Sequence, residues 1–199
     1  MFGKRRKIIA RAERVHIAAP TKDCADAFLA FTRANEAFHH PWVHPATEAA
    51  GYRAYLERLE VTGAFGFLIV RNADDGVVGV ININDVIMGG FRSASLGYYG
   101  DAGFARRGYM AEGLTLVLDQ AFGTIGLHRI ESNLQPGNEA SRALVQRMGF
   151  RKEGFSPRFL QIDGEWRDHE RWAILNEEWR ARRAAEHGAS FAHKLSRVV

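Results

Sequence analysis

Residues 91–122, FRSASLGYYGDAGFARRGYMAEGLTLVLDQAF, change once from strand chemistry to helix chemistry and so place a strand, a glycine-bearing turn and a long helix at mid-chain. Met110, Leu114, Val117, Leu118, Ala121 and Phe122 recur at i, i+4, i+7, i+8, i+11 and i+12, one apolar face of a 3.6-residue period. The preceding strand is read over Ser93–Gly100. Arg106, Arg107 and Gly108 stand at the helix start, where amides have no helical partner and point outward at the positive end of the dipole. Gly108 lacks the Cβ that would hold a ligand off the backbone, so the turn suits a phosphate or pyrophosphate group. The plain alternative is a solvated helix terminus. The turn is not a P-loop, because no GK[ST] follows, and it lacks the three glycines of a dinucleotide fingerprint.

The flanking sequence predicts further elements. A strand is expected at Val15–Ala18, then a helix capped by Thr21 or Asp23, then a second helix over residues 48–60. Strands follow at Phe65–Arg71 and residues 77–86, joined by Asp74, Asp75 and Gly76; Val80, Asn82 and Asn84 alternate with Ile81 and Ile83. After the central helix come a strand over 127–133 and a helix capped by Asn138 and ended by Gly149. Strands over 150–161 and 166–175, turning at Asp163 and Gly164, and a helix over 177–186 complete the series. With no repeat and no linker, the expectation is one α+β domain spanning residues 1–199 with a mixed, mostly antiparallel sheet. Its core is placed at about 15–179, between a basic tail at 1–14 and a helical tail at 177–199.

Charge narrows the partners. Lys and Arg number 27 against 23 acidic residues, a net +4, and Lys4, Arg5, Arg6 and Lys7 alone supply four positive charges. The remaining side chains balance, so nucleic-acid contact is expected only through that run, whose alternative is a solvated terminus. No apolar run reaches the length of a membrane helix, and charges at Arg11, Glu13 and Arg14 interrupt any secretory h-region. One cysteine, Cys24, permits no intrachain disulfide, and a cytoplasmic protein is expected. His39, His40 and His44 lie close together, but their spacing matches no zinc pattern and no metal is expected.

Residues 91–122 together with HRIESNLQPGNEASRALVQRMGF (128–150) and DGEWRDH (163–169) resemble the GNAT acyltransferases. The likeness is to the RimJ/RimL-type branch, which acetylates N-terminal amines of ribosomal proteins, and it covers roughly residues 20–179. In that family the helix-opening turn carries Q/R-x-x-G-x-G/A and grips the pyrophosphate of acetyl-CoA. Ala105, Arg106, Arg107, Gly108, Tyr109 and Met110 match it here, departing at the first and last positions. The resemblance implies neighbouring central strands that splay around the cofactor, which Arg106, Arg107, Gly108, Tyr109, Met110 and Ala111 would hold. It implies an oxyanion site at the amides of Tyr99 and Gly100, where Gly100 either permits a bulge or simply ends the strand. Asn138 and Ser141 would face the pantetheine arm, and Ser141 would protonate the departing thiolate; the residues themselves equally allow both to be helix caps. The tyrosine that many family members carry four positions beyond the serine is Val145 here.

His39, Trp42 and Asn84 are the expected acceptor contacts, with a packed aromatic loop as the other reading of the first two. Glu131 leads as candidate base, Asp85 follows, and Glu112 is assigned to the helix dipole. The expected reaction is direct attack of a neutral amine on acetyl-CoA by a monomer or homodimer, the acceptor being a protein N-terminus. A small-molecule amine acetyltransferase and a non-catalytic acyl-CoA-binding regulator are the alternatives.

Overall fold

The structure is a computed structural model that describes residues 7–195; Lys4, Arg5 and Arg6 of the basic run lie outside the described residues. Among those residues one eight-stranded sheet carries the chain. Its strands are β1 (Ile8–Arg11), β2 (Val15–Ala18), β3 (Phe65–Arg71), β4 (Val77–Ile87), β5 (Ser93–Gly100), β6 (Arg129–Leu134), β7 (Arg151–Ile162) and β8 (Glu165–Leu175). The spatial order is β1-β2-β3-β4-β5-β6-β8-β7, antiparallel throughout except for the parallel pair β5 and β6. Six helices cover it: α1 (Ala25–Ala34), α2 (Glu36–His39), α3 (Ala49–Thr62), α4 (Tyr109–Asp119), α5 (Glu139–Arg147) and α6 (Asn176–Leu195).

Strand alternation divides the core between two faces. Phe67, Ile69, Ile81, Ile83, Ala94 and Leu96 turn to the side of α4, where Leu114, Val117 and Leu118 are fully buried. Leu68, Val70, Val80 and Tyr99 turn to the other side, against Phe28 and Phe31 of α1 and Tyr52 of α3. Each large apolar side chain so buried stabilises the fold by roughly 1.5–3 kcal/mol. Gly113 lets α4 approach closely, since a Cβ there would sit 2.7 Å from Ile69 Cγ2. The face-to-face glycines 79 and 100 leave a hollow that Met110 fills: a Cβ on Gly79 would lie 2.2 Å from its sulfur, and one on Gly100 3.1 Å from its Cγ.

Several sequence expectations are corrected. Residues 8–14 are not tail: β1 pairs with β2, and Ala12 N donates to Val15 O (2.8 Å) to close the turn. A fully buried β2 needs a partner along its outer edge, and four residues suffice despite the charges that made them read as tail. Neither Thr21 nor Asp23 caps α1, because the single tight turn Lys22–Cys24 intervenes; Thr21 Oγ1 instead lies 3.4 Å from Cys24 Sγ. Gly100 makes no bulge: the β4–β5 register runs unbroken from Gly79↔Gly100 to Asn84↔Ser95, and the irregularity falls between Asn84 and Ile87. α4 ends in one wider turn, with Ile125 N donating to Gln120 O (2.9 Å), and α6 runs on to Leu195.

Strands β5 and β6 pair only from Ser93↔Arg129 to Ser95↔Glu131 and then part. The gap that opens beyond Ser95 is where the sheet exposes unpaired backbone.

Candidate active site

The chain enters α4 through a constrained turn. Asp101 Oδ1 accepts Gly103 N (2.8 Å), Arg106 is left-handed at φ 59°, and Gly108 stands before the helix at φ 83°. The first helical bond runs from Glu112 N to Gly108 O (3.0 Å), so the amides of Tyr109, Met110 and Ala111 have no helical carbonyl to meet. Arg106 and Arg107 are exposed beside them. These residues fit a pyrophosphate: the amides converge, the dipole is positive, and no Cβ stands on Gly108. Met110 contributes its amide alone, its side chain being committed to the glycine hollow.

Backbone alternation then decides which amides of β5 face the gap. Asp101 N donates to Val78 O (3.0 Å), so in this antiparallel register the amides of Tyr99 and Gly97 also turn toward β4. Those of Tyr98 and Gly100 turn toward β6, into the gap. The expected pair of Tyr99 and Gly100 is therefore shifted by one residue: Tyr99 spends its amide on the ladder. Its ring lies on the α1 face, stacked on Phe31 at 6.0 Å between centroids.

Tyr98 was not singled out in the sequence, although it is one alternation step from Tyr99. Its phenol crosses the gap and donates to Ser141 O (3.3 Å) at the start of α5. Burial pushes its pKa up to about 12, partly offset by the side chains of Ser141 and Ser132. Asn138 caps α5 through its Oδ1, which accepts Ser141 N (3.1 Å). The Ser141 hydroxyl stands at the same helix start, half-buried at the edge of the gap. Val145 is fully buried in the core.

The candidate carboxylates are engaged elsewhere. Glu131 Oε1 accepts Arg129 Nε (2.7 Å), and that guanidinium also binds Glu153. Asp85, at φ 52° in the strand irregularity, accepts Ser95 Oγ (2.6 Å). Glu112 does more than face the helix dipole: it takes Arg14 N and Arg14 Nε, each at 2.7 Å.

The expected acceptor residues separate. Asn84 accepts Arg58 Nη1 (3.0 Å) beneath α3, beside Asn82, which accepts Tyr55 OH (2.7 Å). His39 is buried, with Nε2 2.8 Å from Gly100 O, so it is packed into the end of β5 and offers no surface to an acceptor. The segment after it, with a cis bond at His40–Pro41, walls the end of the gap. Trp42 O accepts Gln135 Nε2 (3.4 Å) before α5, and His44 Nε2 meets Asp163 Oδ2 (2.7 Å) at the β7–β8 turn. Among the described residues no cluster of His, Cys, Asp or Glu could hold a metal ion, and no helix is long and apolar enough to cross a membrane.

The model of the Acetyltransferase (GNAT) domain family matches residues 14–151. The chain is 33% identical to the [Ribosomal protein uS5]-alanine N-acetyltransferase of Escherichia coli over 153 residues, 73% of this chain and 79% of that one. It is 37% identical to the probable N-acetyltransferase YjcK of Bacillus subtilis over 124 residues, 62% and 68% of the two chains. Among solved structures it resembles Mycobacterium smegmatis RimJ in complex with CoA-disulfide, with TM-score 0.75 and 30% identity over 82% of this chain and 83% of that one. Splayed strands, a glycine turn opening the central helix and these matches agree: the chain belongs to the GNAT acetyltransferase family and is an acetyl-CoA-dependent acyltransferase.

Proposed function

We propose that this enzyme acetylates the N-terminal α-amine of a protein, with a ribosomal protein as the foremost class, by direct attack within a ternary complex. The observation that carries this reading is that the two candidate carboxylates, Glu131 on β6 beside the gap and Asp85 on β4, are held by Arg129 and Ser95. A peptide α-amine has a pKa of about 8, whereas a lysine amine sits at about 10.4, so freeing lysine near neutral pH costs roughly 3 kcal/mol more. With both candidate carboxylates engaged, the gap suits the α-amine. The likeness to an enzyme named for alanine acetylation of ribosomal protein uS5 supports the same choice.

In the reaction the amine nitrogen bonds to the acyl carbon, the carbon–sulfur bond breaks, the nitrogen gives up one proton to water, and the sulfur takes one from Ser141, which regains it from water. The amides of Tyr109, Met110 and Ala111, with Arg106 and Arg107, hold the pyrophosphate. The amides of Gly100 and Tyr98 face the gap, where negative charge develops on the acyl oxygen; preorganised donors of this kind are worth ~10²–10³-fold in rate. Asn138 fixes the first turn of α5, and the Ser141 hydroxyl supplies the proton to the thiolate. Trp42, His44 and the β7–β8 turn border the side from which the amine enters.

Turnover of acetyl-CoA with alanine-terminated peptides, lysine peptides blocked at the N-terminus, and polyamines tests the reading. Acetylation confined to the free N-terminus is expected. Preference for lysine or a polyamine overturns it.

A further inference from the structure

Two buried polar side chains on the α1 side of the sheet fasten the strand end that leads into the cofactor turn. Asn35, between α1 and α2, accepts Ala102 N at Oδ1 (2.8 Å) and donates from Nδ2 to Asp101 Oδ2 (3.1 Å) and Phe31 O (2.9 Å). His39, at the end of α2, brings Nε2 to 2.8 Å from Gly100 O. Each residue is 3% exposed. Consecutive positions 100, 101 and 102 are thus gripped from one side.

A carbonyl oxygen only accepts, so His39 Nε2 carries the proton and Nδ1 keeps its lone pair. That Nδ1 is buried without a hydrogen-bond partner, among the rings of Phe31, Phe38 and Tyr99 at centroid distances of 5.7, 6.2 and 5.1 Å. An orphaned buried nitrogen is unfavourable, and a leucine would fill an aromatic box without it. The bond to Gly100 is what the imidazole adds. Gly100 has no side chain to restrict its torsions, and its neighbour β6 has already parted from it. Fixing its carbonyl fixes the Gly100–Asp101 peptide, the step from the end of β5 into the cofactor turn, whose other end is held by the bond from Asp101 N to Val78 O.

We propose that His39 is a positioning residue for acyl transfer, its Nε2–H holding the Gly100–Asp101 peptide so that the end of β5, with the Gly100 amide it carries, keeps its place beside the gap that receives the acyl oxygen. Asn35 anchors the next two residues and keeps the strand end in register with the cofactor turn. This rests on the reading that the Gly100 amide receives the acyl oxygen. It also assigns the α1–α2 corner a part in catalysis.

The test compares His39→Leu, His39→Gln and His39→Asn. Glutamine places an amide N–H near the position of Nε2, whereas asparagine falls short of Gly100. Leu and Asn variants are expected to lose ~10²-fold in kcat, the penalty of a misplaced reacting group, with coenzyme A affinity within about threefold of wild type. The Gln variant is expected to recover most of the loss. Equal kcat in all three variants, whether high or low, overturns the proposal. Nitrogen-15 NMR of the wild-type imidazole is a second readout independent of any variant: the Nε2–H tautomer is expected, and Nδ1–H overturns it. Calorimetric titration of wild type with coenzyme A separates the two levels. Wild type that neither binds coenzyme A nor turns over refutes the functional reading, while active wild type beside an unimpaired Leu variant refutes only the role of His39.

Discussion

Arg14 and Glu112 are joined twice across the N-terminal hairpin and the central helix: the Arg14 backbone amide meets Oε1 and its Nε meets Oε2, both at 2.7 Å. Arg14 Nη1 also donates to Arg107 O (3.0 Å), and its guanidinium lies 4.9 Å from the centre of the Tyr109 ring. The β1–β2 turn thereby holds the shape of the turn that opens α4.

Arg14→Ala should therefore loosen that turn and weaken coenzyme A binding by about five- to tenfold, in keeping with ~1 kcal/mol for a partly exposed charged pair. Isothermal titration would measure it. Unchanged affinity would mean that the turn keeps its form unaided.

Gly108→Val should be more severe. Position 108 sits at φ 83°, which a β-branched residue adopts at a cost of at least about 1–2 kcal/mol. The new Cβ would also press on Arg14 Nη2, 3.2 Å away. Loss of more than about tenfold in coenzyme A affinity with retained secondary structure is expected, checked by titration and circular dichroism.

Asn138 and Ser141 are separable. Asn138→Ala removes a helix cap and should cost about 1 kcal/mol of stability, read as a lower Tm. Ser141→Ala leaves that cap intact, because the cap uses the Ser141 backbone amide. Its effect should fall on kcat, by ~10²–10⁴-fold for a lost proton donor. A Ser141→Ala variant with normal kcat and reduced Tm would return the hydroxyl to a structural role.

Acid should destabilise the fold through two histidines. His39 and His169 both have pKa values lowered from 6.5, chiefly by burial, with backbone hydrogen bonds opposing. The unfolded chain then binds protons that the native state refuses, so stability is full above about pH 6.5 and declines as the pH falls below it. Urea unfolding at pH 7.5 and 5.5 would show this, and His169→Gln should flatten part of the slope.

Deleting residues 1–7 leaves β1 and the Arg14 clamp in place. If Lys4, Arg5, Arg6 and Lys7 help capture a ribosome-bound substrate, KM for it should rise while KM for a free peptide stays constant. The difference should shrink with salt, since the Debye length is only about 8–10 Å near physiological ionic strength. Equal kinetics on both substrates would make the run a solvated terminus.

Local chemistry settled much of this molecule before any tertiary contact is considered. The apolar face of α4, the glycine before it, the Asn138 cap and the Gly149 terminator are each decided by a residue and its near neighbours, and all stand where those residues require. What sequence could not decide depends on partners distant in the chain. Whether an amide of β5 faces β4 or the gap is a matter of register, and a one-residue step exchanges Tyr99 for Tyr98. His39 reads as an acceptor contact or as part of a packed aromatic loop until α2 folds it against Gly100, 61 positions away. Glu131 reads as a free base until Arg129 closes on it, a guanidinium also bound by Glu153 of β7, 24 positions from Arg129. Periodicity and capping are properties of a few consecutive residues; register, burial and charge pairing exist only once the sheet has brought separate segments together.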